Sequence, residues 1–180
     1  MNAPPPAFTD KATLRARARQ HVERGAVTEG YRADRPTVLR LLDESLATEI
    51  VCTLRYRRHY FMASGIHAQA VAAEFLEHAN EEQVHADRIA ARIVQLGGEP
   101  DLNPDTLTRR SHAEYVPGRT LLEMIHEDLV AERVAIESYG EIVRYIGDDD
   151  PTTRQMFVEI LAVEEQHAEE LVTLLQRLAP

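Results

Sequence analysis

The chain has 180 residues, 44% hydrophobic and 28% charged, with 30 acidic against 20 basic side chains. That size fits one domain with a tail, and the composition excludes wholesale disorder. A formal charge of −10 argues against a general nucleic-acid binder and suits a protein that attracts cations. A single cysteine, Cys52, excludes an intrachain disulfide and every metal site built from several thiolates. The N-terminus lacks the apolar core of a signal peptide, and no apolar run approaches the ~20 residues of a membrane helix. A cytoplasmic setting with no membrane partner is therefore expected.

Residues 1–34 read as a basic N-terminal arm. The Pro4-Pro5-Pro6 triplet leads into Lys11, Arg15, Arg17, Arg19, Arg24 and Arg32. Thr9 and Asp10 are capping residues, which predict a short helix over about 11–24 ending at Gly25. Residues 1–35 carry a net +3, leaving −13 for the rest. Residues 35–180 then hold four long helical patterns. The first starts at Pro36, a favoured first-turn residue, and runs to about Ser64. The second runs from about His67 to Leu96, where Gly97-Gly98 stops it. Residues 98–118 contain three prolines and two glycines and show no helical period. The third runs from about Arg119 to Ile146, and the fourth follows Asp150-Pro151 to about Leu178. Short turns within each pair make antiparallel hairpins. The long middle connection is sufficient to cross the length of the bundle. The expected fold is all-α: a four-helix bundle of two hairpins joined by one long crossover, with an N-terminal extension.

Each long helix has an apolar stripe. The first carries Leu42, Leu46, Thr53, Tyr56 and Tyr60, interrupted by Glu49. The second carries Val71, Phe75, Ile89, Ile93 and Leu96, interrupted by Glu82 and His85. The third carries Leu122, Ile125, Leu129, Ile136, Tyr139 and Val143, interrupted by Glu132. The fourth carries Phe157, Ile160, Leu171, Leu174 and Leu178, interrupted by Glu164 and His167. Four glutamates and two histidines thus point at the core from mid-helix. Buried carboxylates cost several kcal/mol each unless paired or bound to metal, and two divalent cations would balance all four.

A bare Glu-x-x-His is weak, since chance alone gives about one match at this composition. Three occur, and Glu123/His126 lies off its stripe and reads as solvated surface. The stronger signal is a repeat between the two halves. Glu49 precedes Glu82 by 33 residues, and Glu132 precedes Glu164 by 32. Glu49-x6-Tyr56 matches Glu132-x6-Tyr139, and Glu82-Gln-Val-His85-Ala matches Glu164-Glu-Gln-His167-Ala. Each hairpin offers Glu from one helix and Glu-x-x-His from the next, a pseudo-twofold di-metal set.

On these residues the chain resembles, over about 36–178, the ferritin-like superfamily, and within it bacterioferritins and Dps-like ferritins with a bacterioferritin-type di-iron centre. The resemblance implies that Glu49 and Glu132 are terminal carboxylates, Glu82 and Glu164 bridging carboxylates, and His85 and His167 imidazole ligands. Tyr56 matches a tyrosine beside that centre. Gln83 stands where bacterioferritin has its haem-ligating Met, so haem of that type is not expected. The chain stops at Pro180 without the short fifth helix of 24-subunit cages, which favours a Dps-like 12-mer over a 24-mer. Typical Dps proteins, however, build their iron site between subunits. The Dps-like ferritins with a bacterioferritin-type centre often carry a cysteine pair, and here there is only Cys52.

The ligand set suits Fe, Mn or Zn, and the resemblance selects two Fe ions per subunit. The implied function is a ferroxidase that oxidises Fe(II) with O2 or H2O2 and stores Fe(III) mineral in a homo-oligomeric cage. The alternatives are a non-storage di-metal peroxidase or catalase and a Dps-like DNA-protecting protein. Tyr56 reads either as an electron donor or as core packing. Glu77 and Glu81 read as a cavity lining or a solvated face, and His78 as a neighbour of the ligands or as core. Cys52 reads as a small buried hydrophobe. The arm either contacts DNA phosphates or packs on neighbouring subunits; +3 against −13 favours packing.

Overall fold

The computed structural model describes residues 8–66 and 68–178, and every regular element among them is helical. These are α1 (Lys11–Ala18), α2 (Arg35–Met62), α3 (Ala68–Gln95), α4 (Pro104–Arg110), α5 (Leu121–Ile146) and α6 (Pro151–Leu178), with a 3-10 turn over Val22–Arg24. The Pro4–Pro6 triplet, His67 as a helix start and the chain end at Pro180 lie outside the described residues. Helices α2, α3 and α6 have 28 residues and α5 has 26, so each spans about 40 Å. Helix α2 packs on α3 and α5, and α6 packs on α5 and α3, which closes the four-helix bundle.

The ends follow local chemistry. Helix α5 opens with a capping box, Thr120 and Glu123 each accepting from the other's backbone N–H. Asp150 accepts from the Thr153 N–H at 2.9 Å at the start of α6. Just past the end of α3, Gly97 takes a left-handed φ of 73°. Gly98 then sits so close to α2 that a methyl group there would come within 2.7 Å of Leu39.

Two expectations about short elements need correction. The crossover is not free of helix: α4 has Asn103 as its cap and Pro104 in its first turn, and seven residues are too few to show a period. The arm helix stops at Ala18 rather than near Arg24, because His21 takes a left-handed φ of 52°. No residue of α1 is buried, so no packing prolongs it.

The two larger of four apolar clusters make up most of the core. One contains Leu42, Leu46, Ile89, Ile93, Tyr139, Phe157 and Ile160. The other contains Tyr56, Val71, Phe75, Ile125 and Leu171. Each fully buried large side chain contributes about 1.5–3 kcal/mol. The polar layer between them holds all six stripe-interrupting residues.

The α5 stripe lies differently from expectation. Leu122 is exposed, and Leu129, Ile136 and Val143 are only half-buried. The buried face is Met124, Ile125, Asp128, Ala131, Glu132, Ala135, Tyr139, Ile142 and Ile146. Helices approach closely over alanines, and Asp128 is buried because it has partners. Tracing large apolar residues overlooks both. Tyr60, Leu174 and Leu178, also assigned to stripes, are half-buried as well.

Candidate metal centre

The structure brings Glu49 (α2), Glu82 and His85 (α3), Glu132 (α5), and Glu164 and His167 (α6) into one layer, each at most 3% exposed. Two overlapping groups form there. Glu49, Glu82, His85 and Glu164 offer ligand atoms within 4.8 Å of one another, and so do Glu82, Glu132, Glu164 and His167. Glu82 and Glu164 belong to both, so these two carboxylates could be shared between two neighbouring cations. His85 Nδ1 lies 2.9 Å from Glu164 and 3.4 Å from Glu49. His167 Nδ1 lies 3.6 Å from Glu82, 3.6 Å from Glu164 and 3.9 Å from Glu132.

A test of fit comes from unsatisfied atoms. Glu49 Oε2, Glu82 Oε1, both Glu164 oxygens, His85 Nδ1 and His167 Nδ1 are buried without an aligned hydrogen bond. Among the described residues one other buried side-chain atom shares that state, the Thr53 hydroxyl. Buried polar atoms are normally paired, so six orphans facing one another fit bound cations. Oxygen and imidazole donors without thiolate suit Fe, Mn or Zn.

Protonation carries the same message. Burial, then the neighbouring Glu82 and Glu164 charges, push Glu49 and Glu132 well above the usual carboxylate range. Burial opposes the charge on His85, but contacts with Glu164, Glu49 and Glu82 outweigh it and push its pKa up to about 12. Burial likewise opposes the charge on His167, and Glu164 and Glu82 raise it to about 12. Glu82 is held below the usual range by hydrogen bonding to Glu49, His167 and His85, despite its burial. Without a cation, protons hold this cluster together, and a cation must displace them.

The surroundings orient these side chains. The Tyr139 hydroxyl donates to Glu49, and the Tyr56 hydroxyl donates to Glu132, so each hairpin's tyrosine steadies the other hairpin's glutamate. His167 Nε2 donates to Glu81 at 2.7 Å, leaving Nδ1 facing the centre. Glu81 is thus a partner of a site residue, while Glu77 is exposed. His78 is buried, lies 3.2 Å from the Tyr56 hydroxyl and stacks on His167 at 4.0 Å. Gln83 is exposed and donates to Asp87.

Other residues behave as their sequence context suggested, or were not legible there. Glu123 and His126 are exposed. Cys52 is buried, 3.7 Å from the Arg55 guanidinium. Sequence reasoning missed Arg55, His59 and Asp128, a buried cluster beside the centre. Arg55 Nε donates to Asp128 at 2.8 Å, and His59 lies 2.8 Å from the other carboxylate oxygen. Arg55 and His59 also bond the Glu114 and Pro117 carbonyls, which ties the crossover to α2. The available signal was Asp128, one turn before Glu132 on the same face.

Comparison with known proteins places the chain in a family. Residues 39–179 match the Ferritin-like domain family. A bacterioferritin of Brucella melitensis is 32% identical over 146 residues, covering 80% of this chain and 86% of that one. A DNA protection during starvation protein of Pyrococcus furiosus is 32% identical over 143 residues, covering 76% and 77%. The bacterioferritin-related dodecameric thioferritin of Bacteroides fragilis superposes with a TM-score of 0.79 at 30% identity, covering 81% and 88%. The chain belongs to the ferritin-like domain family.

Proposed function

We propose that the protein is an iron-storage and detoxification ferritin. It oxidises Fe(II) with O2 or H2O2 at a centre held within one chain and retains Fe(III) mineral inside a homo-oligomeric shell of twelve copies. The observation that carries this is the shared pair, Glu82 and Glu164, between two groups of buried side chains, six of whose atoms lack an aligned hydrogen bond. The bacterioferritin and thioferritin relatives support the storage role and the twelvefold assembly.

The residues divide the work. Glu49 with His85 would hold one Fe(II), Glu132 with His167 would hold the other, and Glu82 and Glu164 would be shared between them. Two substrate Fe(II) going to Fe(III) would supply the two electrons that, with two protons from solvent, take O2 to H2O2 or H2O2 to two waters. Tyr139 and Tyr56 keep the outer carboxylates aimed at the centre. The apolar clusters above and below exclude bulk water, which strengthens every charge contact in the layer.

The test is iron retained per chain after aerobic Fe(II) addition to metal-free protein, followed by gel filtration. Tens of irons co-eluting with a large assembly support storage. About two per chain would overturn storage and favour the non-storage di-metal peroxidase or catalase, which is then sought as peroxide turnover with Mn as well as Fe. A DNA-protecting role has one supporting feature: Lys11, Arg15 and Arg17 along α1, and Arg19 at its end, are all exposed. It predicts binding that fades steeply with salt and survives loss of the metal ligands.

A further inference from the structure

Helix α1 lies against nothing in its own chain. None of its eight residues is buried, and Leu14 is 51% exposed. Eight residues are too few to hold a helix in water by propensity alone, so α1 needs a surface to pack on. Its sequence provides a face for one. Lys11, Leu14, Arg15 and Ala18 recur at i, i+3, i+4 and i+7 and share one side of the helix, basic along one edge and apolar along the other.

A complementary face lies along α5. Two depressions of about 550 and 310 Å³ share His112, Ser138 and Glu141 and form one trough beside that helix. Val130, Val134, Glu137 and Glu141 line it in a row at i, i+4, i+7 and i+11. Val130 is 43% exposed, and both glutamates are exposed. Among the described residues, none of Lys11, Arg15, Glu137 and Glu141 has an ion-pair partner. Both rows repeat at about 6 Å per four residues. Laid antiparallel, Ala18 falls over Val130 and Leu14 over Val134, while Lys11 and Arg15 reach Glu141 and Glu137. That orientation sets the positive end of α1 against the two carboxylates and Arg133 against its last carbonyls. Arg40, the trough's other guanidinium, is already paired with Glu44 at 2.9 Å.

We propose that the α5 trough is the docking site for α1 of a second copy of the chain, so that each arm clasps a neighbour. The net +3 of residues 1–35 against −13 for the rest favours this contact at long range, and the paired rows fix its register. The docking rests on the homo-oligomeric reading and is independent of the metal centre. Its ion pairs are exposed, so salt weakens it.

Disulfide trapping in the assembled protein tests it, with Leu14→Cys/Val134→Cys in a Cys52→Ala chain and gel filtration run alongside. Mild oxidation should give a ladder of covalent dimers and higher species on a non-reducing gel, because docked Cα atoms come within about 7 Å. Leu14→Cys/Ala162→Cys, whose second site is on α6, should give none. Thiols consumed without a ladder would place α1 on its own chain and overturn the proposal. So would an intact assembly with its thiols unreacted. A chain that elutes as a monomer and gives no ladder would overturn the assembly reading together with the docking. A second measurement uses exposed positions alone. Trypsin should cut after Arg17 about tenfold faster in Glu137→Lys/Glu141→Lys than in the wild type at low salt, and adding Lys11→Glu/Arg15→Glu should restore protection. Equal cutting in the wild type and the charge-reversed chain would overturn the pairing. If a short DNA duplex alone protects the arm, its occupant is nucleic acid and the docking is overturned.

Discussion

Two buried polar clusters lie side by side in this bundle and are built on opposite plans. Between α2, α5 and the crossover, each side-chain nitrogen and oxygen of Arg55, His59 and Asp128 has a partner. In the middle layer, six atoms of the glutamates and histidines have no aligned hydrogen bond and face one another instead. A buried charged cluster that closes on itself fastens parts of the chain together. One whose lone pairs face a common point is open to a cation. Burial is the same in both, so it is the unpaired atoms that separate a ligand set from a structural fastening.

The sharpest way to break this contrast is to remove a ligand from each hairpin. Glu49→Ala/Glu132→Ala should lower the initial rate of Fe(II) oxidation by about 100-fold or more, followed by ferric absorbance, while the helices remain. A rate near that of the wild type would move the centre elsewhere. The opposite result is expected from the closed cluster. Asp128→Ala strands the Arg55 guanidinium and should cost about 3–5 kcal/mol in urea unfolding of metal-free protein. Oxidation per folded chain should change little.

Acidity sharpens the contrast further. His85 and His167 are raised from 6.5 to about 12, so the folded metal-free chain keeps protons that the unfolded chain releases above pH 6.5. That stabilisation is complete below 6.5 and is lost as pH rises towards 12. Glu49 and Glu132, raised above 4.5, act in the same direction. The melting temperature of metal-free protein should therefore fall between pH 7 and 9 by this contribution. Cations replace those protons, so the gap between Zn(II)-loaded and metal-free protein should widen with pH. A gap that narrows would contradict proton–metal competition.

Smaller effects follow from single hydroxyls. Tyr56→Phe or Tyr139→Phe frees one glutamate oxygen and should weaken Zn(II) binding about fivefold, equivalent to about 1 kcal/mol, as read by competition with a chelator. Tyr31 bonds Asp150 at 3.0 Å, where Arg92 and Thr153 also converge, and joins the segment before α2 to the start of α6. Tyr31→Phe should cost at most about 1 kcal/mol in thermal unfolding and leave iron oxidation intact.

The long helices were legible because their stops are local: Gly97-Gly98, Gly147 and Asp150-Pro151 act within a few residues. The six candidate ligands were legible because each interrupts an apolar stripe at matching positions in the two halves. Helix α4 was not, since seven residues between prolines and polar caps carry no period. Asp128 and Arg55 were not, because a charge neutralised across a bundle by a residue 73 positions away leaves no mark in its own helix. Glu81 and Glu170 were hidden for a related reason. Each is partly exposed and reads as solvated, and only the fold shows its oxygen against a buried imidazole.

The most direct test of the central claim is anomalous diffraction at the iron edge from crystals of the assembled protein soaked anaerobically with Fe(II). The account predicts two peaks inside each four-helix bundle, one beside Glu49 and His85 and one beside Glu132 and His167, with Glu82 and Glu164 between them. Peaks confined to the contacts between subunits, or a single peak per bundle that leaves either hairpin's ligands bare, would contradict it.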